Sequence, residues 1–145
     1  KACYQLLVKN FQDKHLSLPF DAALLERIYS SCKKNKAGAI WFSKDETGKL
    51  AACIFIVWDQ KTAYYLIGGK EASFGNSGAM SQLFWHAFLD LRERVNSFDF
   101  EGSMIKGVES YFRSFGGALK GFFELSKINS PVQKLKASLR KTFRR

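Results

Sequence analysis

The chain has 145 residues, a formal net charge of +10 and a hydrophobic content of 46%. This length suits one domain with a single core, and the hydrophobic content argues against a disordered chain. No apolar run approaches the roughly 18 residues that a membrane span requires, and the spacing of cysteine and histidine predicts no metal site.

The cysteines and the first residue bear on where the protein works and on its full length. The three cysteines are odd in number and widely spaced, which indicates free thiols in a reducing compartment. We therefore expect a cytoplasmic protein. The chain begins with lysine rather than methionine, so we expect a domain, 1–145, that belongs to a longer protein.

The first segment, 1–36, is predicted to be a helical lead-in. Apolar spacing predicts a helix over Ala2–Leu16, and Pro19 interrupts the pattern. Asp21 is a predicted N-cap for a second helix that reaches about Lys34. The predicted inner face of this second helix comprises Leu24, Leu25, Ile28, Tyr29 and Cys32.

Three strands follow and open the predicted core of sheet and helices, 37–127. They lie at Ala37–Phe42, Leu50–Trp58 and Thr62–Ile67, joined by tight turns. The middle strand is a continuous apolar run, which is typical of a strand covered on both faces. Short turns between consecutive strands predict an antiparallel meander.

A loop, Lys70–Gly78, joins the third strand to the longest predicted helix, Ala79–Asn96. Open backbone at a helix start favours an anion, because its N–H groups lack partners. The candidate substrate-binding positions are Gly75, Asn76, Ser77 and Gly78. The alternative is a plain turn in which Asn76 or Ser77 caps the helix, and Glu71 places a negative charge close to the expected anion.

A strand and a helix over 97–117 form the unit around which we expect the site to be built. Ser97–Phe100 alternates as a strand does. Alternation places Asp99 and Glu101 on one side of it, at the end where open α/β sheets gather ligands. These two carboxylates are candidate catalytic residues, because a carboxylate at a ligand-binding edge can act as a general base or orient a substrate. The alternative is that one of them caps the next helix or pairs with Lys106 or Arg113.

The end of the chain is strongly basic. After a predicted strand, Ala118–Lys127, a predicted helix over 131–145 carries six basic residues and no acidic residue. This charge favours contact with a polyanion, although a solvated helix end explains it equally well. The candidate polyanion-binding residues are Lys134, Lys136, Arg140 and Lys141.

Two phrases within the 97–117 unit carry a family resemblance. FDFEGS (98–103) and GVESYFRSFGG (107–117) resemble the end of the acyltransferase domain of the Gcn5-related (GNAT) superfamily. The resemblance covers about residues 20–126 and is nearest to the FemABX branch, which adds amino acids to peptidoglycan precursors. It implies a GNAT-like α/β fold, with a mixed, mostly antiparallel sheet flanked by helices. It also implies a second GNAT domain in the full-length protein.

The resemblance assigns roles on the helix that follows the last strand of this unit. Phe112 stands where many acetyl-CoA enzymes place a proton-donating tyrosine, and Tyr111 lies about 100° away around the helix. Arg113 replaces a lysine that in the FemABX branch faces the aminoacyl-tRNA channel. Because arginine does not deprotonate, we assign Arg113 to binding or to transition-state charge. Phe112 and Tyr111 are candidate substrate-binding residues.

Three functions remain open from the sequence. The first is FemABX-like transfer of an acyl or aminoacyl group to an amine, with tRNA or a nucleotide-linked precursor as partner. The second is acyl-CoA-dependent N-acetylation, with the donor bound at 75–79. The third is a non-catalytic, GNAT-shaped binding module. The acyl donor is therefore aminoacyl-tRNA or acyl-CoA, and the sequence fixes neither.

Overall fold

The computed structural model describes residues 1–103, 105–121, 123, 127 and 130. The helices α1 and α2 precede the strands β1, β2 and β3; then come a short 3-10 turn, helix α3, strand β4 and helix α4. Their bounds are α1 Ala2–Gln12, α2 Ala22–Asn35, β1 Gly38–Lys44, β2 Leu50–Trp58, β3 Thr62–Lys70, the 3-10 turn Ala72–Phe74, α3 Ala79–Leu91, β4 Ser97–Asp99 and α4 Lys106–Arg113.

The strands form one sheet in the order β1-β2-β3-β4. The first three pair antiparallel, as the short turns predict, and β4 pairs parallel with β3 after the crossover through α3. The predicted class, a mixed and mostly antiparallel α/β sheet flanked by helices, is confirmed. No helix in the described part of the chain is both long and apolar enough to cross a bilayer.

The central strand β2 is covered on both faces, as its continuous apolar run predicts. Ile54 and Ile56 join a cluster with α3, whereas Cys53 and Phe55 join a cluster with α1 and α2. Full burial of each such side chain stabilises the fold by about 1.5–3 kcal/mol. The two layers of helices are thus held to opposite faces of the sheet through one strand.

The cysteines are free thiols, two of them in contact within the α1 side of the core. The Sγ atoms of Cys3 and Cys53 are 3.5 Å apart, and both residues are buried. The contact with Cys3 and the burial raise the pKa of Cys53 far above its ordinary value. Cys53 therefore stays protonated, and a buried protonated thiol is chemically inert.

Two predicted helices end earlier than their apolar patterns indicate. The first ends at Gln12 instead of Leu16, because His15 adopts a left-handed backbone (φ 57°) and Leu16 N–H donates back to the Phe11 carbonyl. Helix α3 ends at Leu91 instead of Asn96, because Asn96 N–H donates to the Lys61 carbonyl (2.7 Å). This long-range bond turns the chain toward β4.

On α2 the cap is confirmed, and one residue of the predicted inner face is wrong. The Asp21 side chain accepts a hydrogen bond from Leu24 N–H at 2.8 Å. Leu25 is buried, but Leu24 is 38% exposed. The packed face is centred on Leu25 rather than shared by the two leucines.

The predicted strand over 118–127 is not found where the structure describes the chain. Residues 118–121 have no regular secondary structure. Two apolar residues of this segment, Leu119 and Phe123, are 78% and 97% exposed. Phe122 and 124–126 lie outside the described residues, as does the basic segment 131–145 with Lys134, Lys136, Arg140 and Lys141.

Candidate functional site

The sheet opens between β3 and β4. Only the first residues of β3 pair with β4, in the register Thr62↔Ser97, Ala63↔Phe98 and Tyr64↔Asp99. Strand β3 then continues to Lys70 without β4 beside it. Since β3 and β4 are parallel, this opening lies at their carboxyl ends, the edge at which α/β sheets bind ligands.

A bulge in β3 lies beside this opening. Phe55 pairs with Ile67 and Ile56 pairs with Tyr65, so Leu66 has no partner on β2. A bulge leaves the backbone groups of the extra residue outside the ladder. The backbone of Leu66 therefore lies outside the pairing with β2, beside the opening.

The loop from β3 to α3 presents open backbone. Gly75 and Gly78 have positive φ angles of 51° and 74°, which side-chain-bearing residues rarely adopt. Nothing lies within 4 Å of a Cβ placed on either glycine. The N-cap of α3 is Gly78, without a side-chain cap hydrogen bond, so the alternative in which Asn76 or Ser77 caps the helix is wrong. The first N–H groups of α3 thus keep their capacity to bind an anion.

Glu71 does not carry free negative charge into this loop. It is 6% exposed, and its two carboxylate oxygens lie 2.6 and 2.7 Å from Lys9 Nζ on α1. The hydrogen bond from Lys9 holds the pKa of Glu71 below its ordinary value and raises that of Lys9. The apparent obstacle to anion binding is therefore a neutralised pair, and two further lysines lie near it. Lys70 Nζ donates to the Gly75 carbonyl (2.9 Å), and Lys49 Nζ lies 5.2 Å from the ring centre of Phe74.

On α4 it is Tyr111, not Phe112, that offers a polar group to the site. The Tyr111 hydroxyl lies 3.0 Å from Ser81 Oγ in the first turn of α3. Burial raises the pKa of Tyr111 above its ordinary value. The Phe112 ring instead stacks on Phe100, with the ring centres 4.8 Å apart, and meets Tyr65 edge-on at 5.9 Å. Tyr111 thus joins α4 to the start of the helix that follows the loop.

Among the described residues, Arg113 forms no hydrogen bond or ion pair with Asp99 or Glu101, the other two predicted site residues of this unit. Asp99 Oδ1 accepts the Glu101 N–H at 2.7 Å, and both residues are exposed. Glu101 lies past the end of β4 with a left-handed backbone (φ 58°), so strand alternation does not set its direction. Arg113 pairs with Glu109 one turn earlier on α4, with Nε 3.0 Å from Oε1.

Neither carboxylate takes the alternative role of capping the next helix or of pairing with Lys106 or Arg113. The N-cap position of α4 is Ile105, and no side chain caps the helix. Within the described residues, neither Asp99 nor Glu101 forms an ion pair with Lys106 or Arg113. Both carboxylates therefore remain available to solvent or to a ligand at the β4 side of the opening.

Three residues that the sequence analysis did not single out border this region. Lys9 neutralises Glu71, Ser81 meets Tyr111, and Tyr65 packs its ring between Phe84 and Phe112. Burial raises the pKa of Tyr65 well above its ordinary value. The only sequence signal for Ser81 is its place in the first turn of the long helix, and nothing in the sequence marks Lys9 as a partner of Glu71.

A separate recess of about 640 Å³ lies at the opposite end of the sheet. The turn from β2 to β3, the end of α2 and Arg94 line it, far along β3 from the glycine loop. In the described ranges, no group of three or more histidine, cysteine, aspartate or glutamate side chains could hold a metal ion.

The open sheet, the glycine loop and the helix order define the class of protein. Residues 1–113 match the family model of the acetyltransferase (GNAT) domain. The match spans most of the chain, which therefore belongs to the GNAT acetyltransferase domain family. A search of curated proteins finds no match.

Solved structures with the same fold are acetyltransferases of low sequence identity. An acetyltransferase from Trypanosoma brucei superposes with a TM-score of 0.63 at 9% identity, over 88% of this chain and 94% of its own. Glucosamine-6-phosphate N-acetyltransferase from Arabidopsis thaliana gives 0.62 at 11%, covering 89% and 93%. An aminoglycoside 6'-N-acetyltransferase from Acinetobacter haemolyticus gives 0.62 at 10%, covering 89% and 95%. At these identities the likeness establishes the fold alone.

Proposed function

We propose that the protein is an acyl-CoA-dependent N-acyltransferase that binds its donor at the loop between β3 and α3. The observation that carries the proposal is that this loop offers open backbone and no unpaired negative charge from Glu71. Its two positive-φ glycines face open space, α3 begins without a side-chain cap, and the nearby carboxylate of Glu71 is paired with Lys9. Such a surface suits the pyrophosphate of a coenzyme A thioester.

The chemistry follows from groups at the opening between β3 and β4. A neutral acceptor amine attacks the thioester carbonyl carbon, the new C–N bond forms and the C–S bond breaks. Asp99 is the candidate group that orients the amine or accepts its proton. Tyr111 is the candidate donor of a proton to the departing thiolate, since its raised pKa keeps the hydroxyl protonated at neutral pH. Glu101 remains a candidate for the acceptor side.

The donor site is tested by adding one negative charge to the loop without changing side-chain shape. Asn76→Asp should raise the Kd for coenzyme A by about threefold to tenfold, because like charges a few ångströms apart in a partly solvated site repel. Gln60→Glu is the matched control, since it adds the same charge in the exposed turn between β2 and β3. Calorimetric titration with coenzyme A measures the Kd of both variants and of the wild type. No binding to the wild type, or equal losses in the two variants, would exclude the loop.

The second candidate is FemABX-like aminoacyl transfer, which the phrases 98–103 and 107–117 favour. Arg113 and Lys106 line an open recess on the outer face of α4, where they could meet a phosphate. The candidate partners are aminoacyl-tRNA and a nucleotide-linked precursor, with a second GNAT domain in the full-length protein. Deleting 131–145 should then weaken tRNA binding and flatten its salt dependence. An unchanged salt slope would leave the basic tail without a role in binding tRNA.

A further inference from the structure

Helix α1 is bonded to the root of the glycine loop. Its buried Asn10 donates from Nδ2 to the Lys70 carbonyl at 2.9 Å, at the last residue of β3. The next residue is Glu71, and both of its carboxylate oxygens contact Lys9 Nζ. Asn10 and Glu71 are the buried polar residues of the described part of the chain. The polar contacts that the core tolerates are therefore concentrated where the loop begins.

We propose that Lys9 and Asn10 are positioning residues for the donor loop, and that Lys9 also cancels a charge that would repel the donor. This inference rests on the proposed function, because the ligand it concerns is the pyrophosphate of coenzyme A. Neither side chain is hydrogen-bonded to Gly75 or Gly78. Both act through Lys70 and Glu71.

The geometry fixes the direction in which the chain leaves the sheet. Glu71 N–H donates to the Ala51 carbonyl on β2 (2.9 Å), so its backbone is tied on the sheet side and its side chain on the α1 side. The Ser73 hydroxyl donates to Glu71 Oε1 (3.3 Å), and the Phe74 N–H donates to the Glu71 carbonyl (3.2 Å). The 3-10 turn that leads to Gly75 is thereby built on Glu71.

Close packing brings α1 within reach of this turn. A Cβ on Gly69 would lie 3.3 Å from Asn10 Cβ and 3.3 Å from Leu7 Cδ2, which is tighter than ordinary contact. The absence of a side chain at Gly69 therefore allows the helix to lie directly on β3. Without this approach, Asn10 would not reach the Lys70 carbonyl and Lys9 would not reach Glu71.

The charge of the pair matters because coenzyme A is itself anionic. A carboxylate that loses its partner in a desolvated position is poorly screened by water and repels a nearby anion strongly. Lys9 is half exposed, so its removal admits solvent but still leaves the Glu71 charge at the root of the loop. Removal of Lys9 should therefore weaken donor binding, and neutralising Glu71 as well should restore part of it.

A double-mutant cycle on the whole chain tests this coupling. Lys9→Met should raise the Kd and the KM for acetyl-CoA by about tenfold, with kcat changed by less than about twofold. Glu71→Gln in the Lys9→Met background should recover a large part of that loss. Lys33→Met, which removes a cation from exposed α2, is the matched control and should leave Kd unchanged. If the pair only stabilises the fold, Lys9→Met should lower the unfolding free energy without raising the Kd for acetyl-CoA.

Two results overturn the inference, and they differ from a failure of the proposed function. If the wild type binds acetyl-CoA but Lys9→Met binds equally well, or the double variant binds no better than Lys9→Met, the inference is wrong. If the wild type binds no acetyl-CoA, the proposed function fails first. Hydrogen exchange of the 72–78 amides then decides the positioning role: faster exchange in Lys9→Met than in Lys33→Met supports it, and equal rates overturn it.

Discussion

Two adjacent residues on α4, Tyr111 and Phe112, differ in what their side chains contact. The family resemblance directs attention to Phe112, which has no proton to give and packs on Phe100. Tyr111, one step further around the helix, brings its hydroxyl to Ser81. Both rings pack in the aromatic cluster around Phe84, but the step of about 100° around the helix lets the Tyr111 hydroxyl reach the start of α3.

Tyr111→Phe should lower kcat by about 100-fold with little change in the KM for acetyl-CoA, as expected for loss of a general acid. Steady-state kinetics over pH provide the measurement. Because burial raises the pKa of Tyr111, wild-type activity that depends on its proton should persist past the ordinary tyrosine range before it falls. Tyr29→Phe, on α2 against Phe55, is the control. An unchanged kcat in Tyr111→Phe would remove this residue from the chemistry.

The Lys9–Glu71 pair makes a pH-dependent contribution to stability whose sign is fixed. Folding lowers the pKa of Glu71, so the unfolded chain binds more protons than the folded chain in the acidic range. The contribution is complete above the unfolded pKa of about 4.3 and is lost as pH falls through the lower folded value. Denaturant unfolding between pH 3 and pH 6 should show a steeper loss of the unfolding free energy in the wild type than in Glu71→Gln. An equal dependence of the unfolding free energy on pH in the wild type and in Glu71→Gln would contradict this prediction.

At the scale of elements, the end of β3 shows why local signals misplace a boundary. Gly68 and Gly69 look like the stop of a strand, yet they pair with Ile54 and Cys53 on β2. Glycine is required there for space: a Cβ on Gly68 would lie 2.5 Å from Tyr65 Oη and 2.8 Å from the Cys53 carbonyl oxygen. The glycines extend β3 to Lys70, where the loop to α3 begins.

Gly68→Ala should therefore lower the unfolding free energy by about 1–3 kcal/mol, the usual cost of overpacking. The further change Tyr65→Phe should recover only part of this loss, because the Cys53 carbonyl still lies in the way. Gly107→Ala is the control, since nothing lies within 4 Å of a Cβ there and alanine favours the helix. Urea unfolding measures the free energy of unfolding of Gly68→Ala, of the double variant with Tyr65→Phe and of Gly107→Ala. Equal stability of Gly68→Ala and the wild type would show that the backbone yields at this point.

The elements that were predicted correctly are those whose cause lies within their own residues. The apolar, β-branched run of β2 and the Asp21 cap of α2 need no distant partner to be recognised. The end of α3 depends on the Lys61 carbonyl, which Asn96 meets only in the folded chain. The loop between β3 and α3 was predicted from its glycines, but the pairing of Glu71 was not, because its partner Lys9 lies 62 positions away in the sequence.

At the scale of the whole molecule, the aromatic side chain of Phe84 contacts elements on both sides of the opening between β3 and β4. Phe84 on α3 is fully buried and lies at the centre of a ring of aromatic residues. These come from β3, β4, α4 and the turns that flank α4, and they include Tyr65, Phe98, Phe100, Tyr111, Phe112 and Phe115. Helix α3 is thus packed against both β3 and β4, the two sides of the opening.

Phe84→Ala should lower the unfolding free energy by about 3–5 kcal/mol, as a large cavity forms in the core. Trp85→Ala, one residue further along α3, should cost less than about 1 kcal/mol because Trp85 is 58% exposed. Thermal and denaturant unfolding of the two variants gives a direct comparison. Similar losses in both would show that the aromatic ring is not centred on Phe84.

The short pairing between β3 and β4 also sets the order in which the molecule assembles. The strands β1, β2 and β3 are joined by tight turns, so their pairing closes only short loops. The pairing of β4 with β3 closes a loop of 35 residues and forms only three residue pairs. Two tryptophans, Trp41 and Trp58, face each other within the meander, with ring centres 6.4 Å apart. During refolding of a Trp85→Phe variant, their fluorescence should recover before acetyltransferase activity does. The strand that completes the opening would then be the last to join the sheet, and competence to transfer an acyl group would mark the final step of folding.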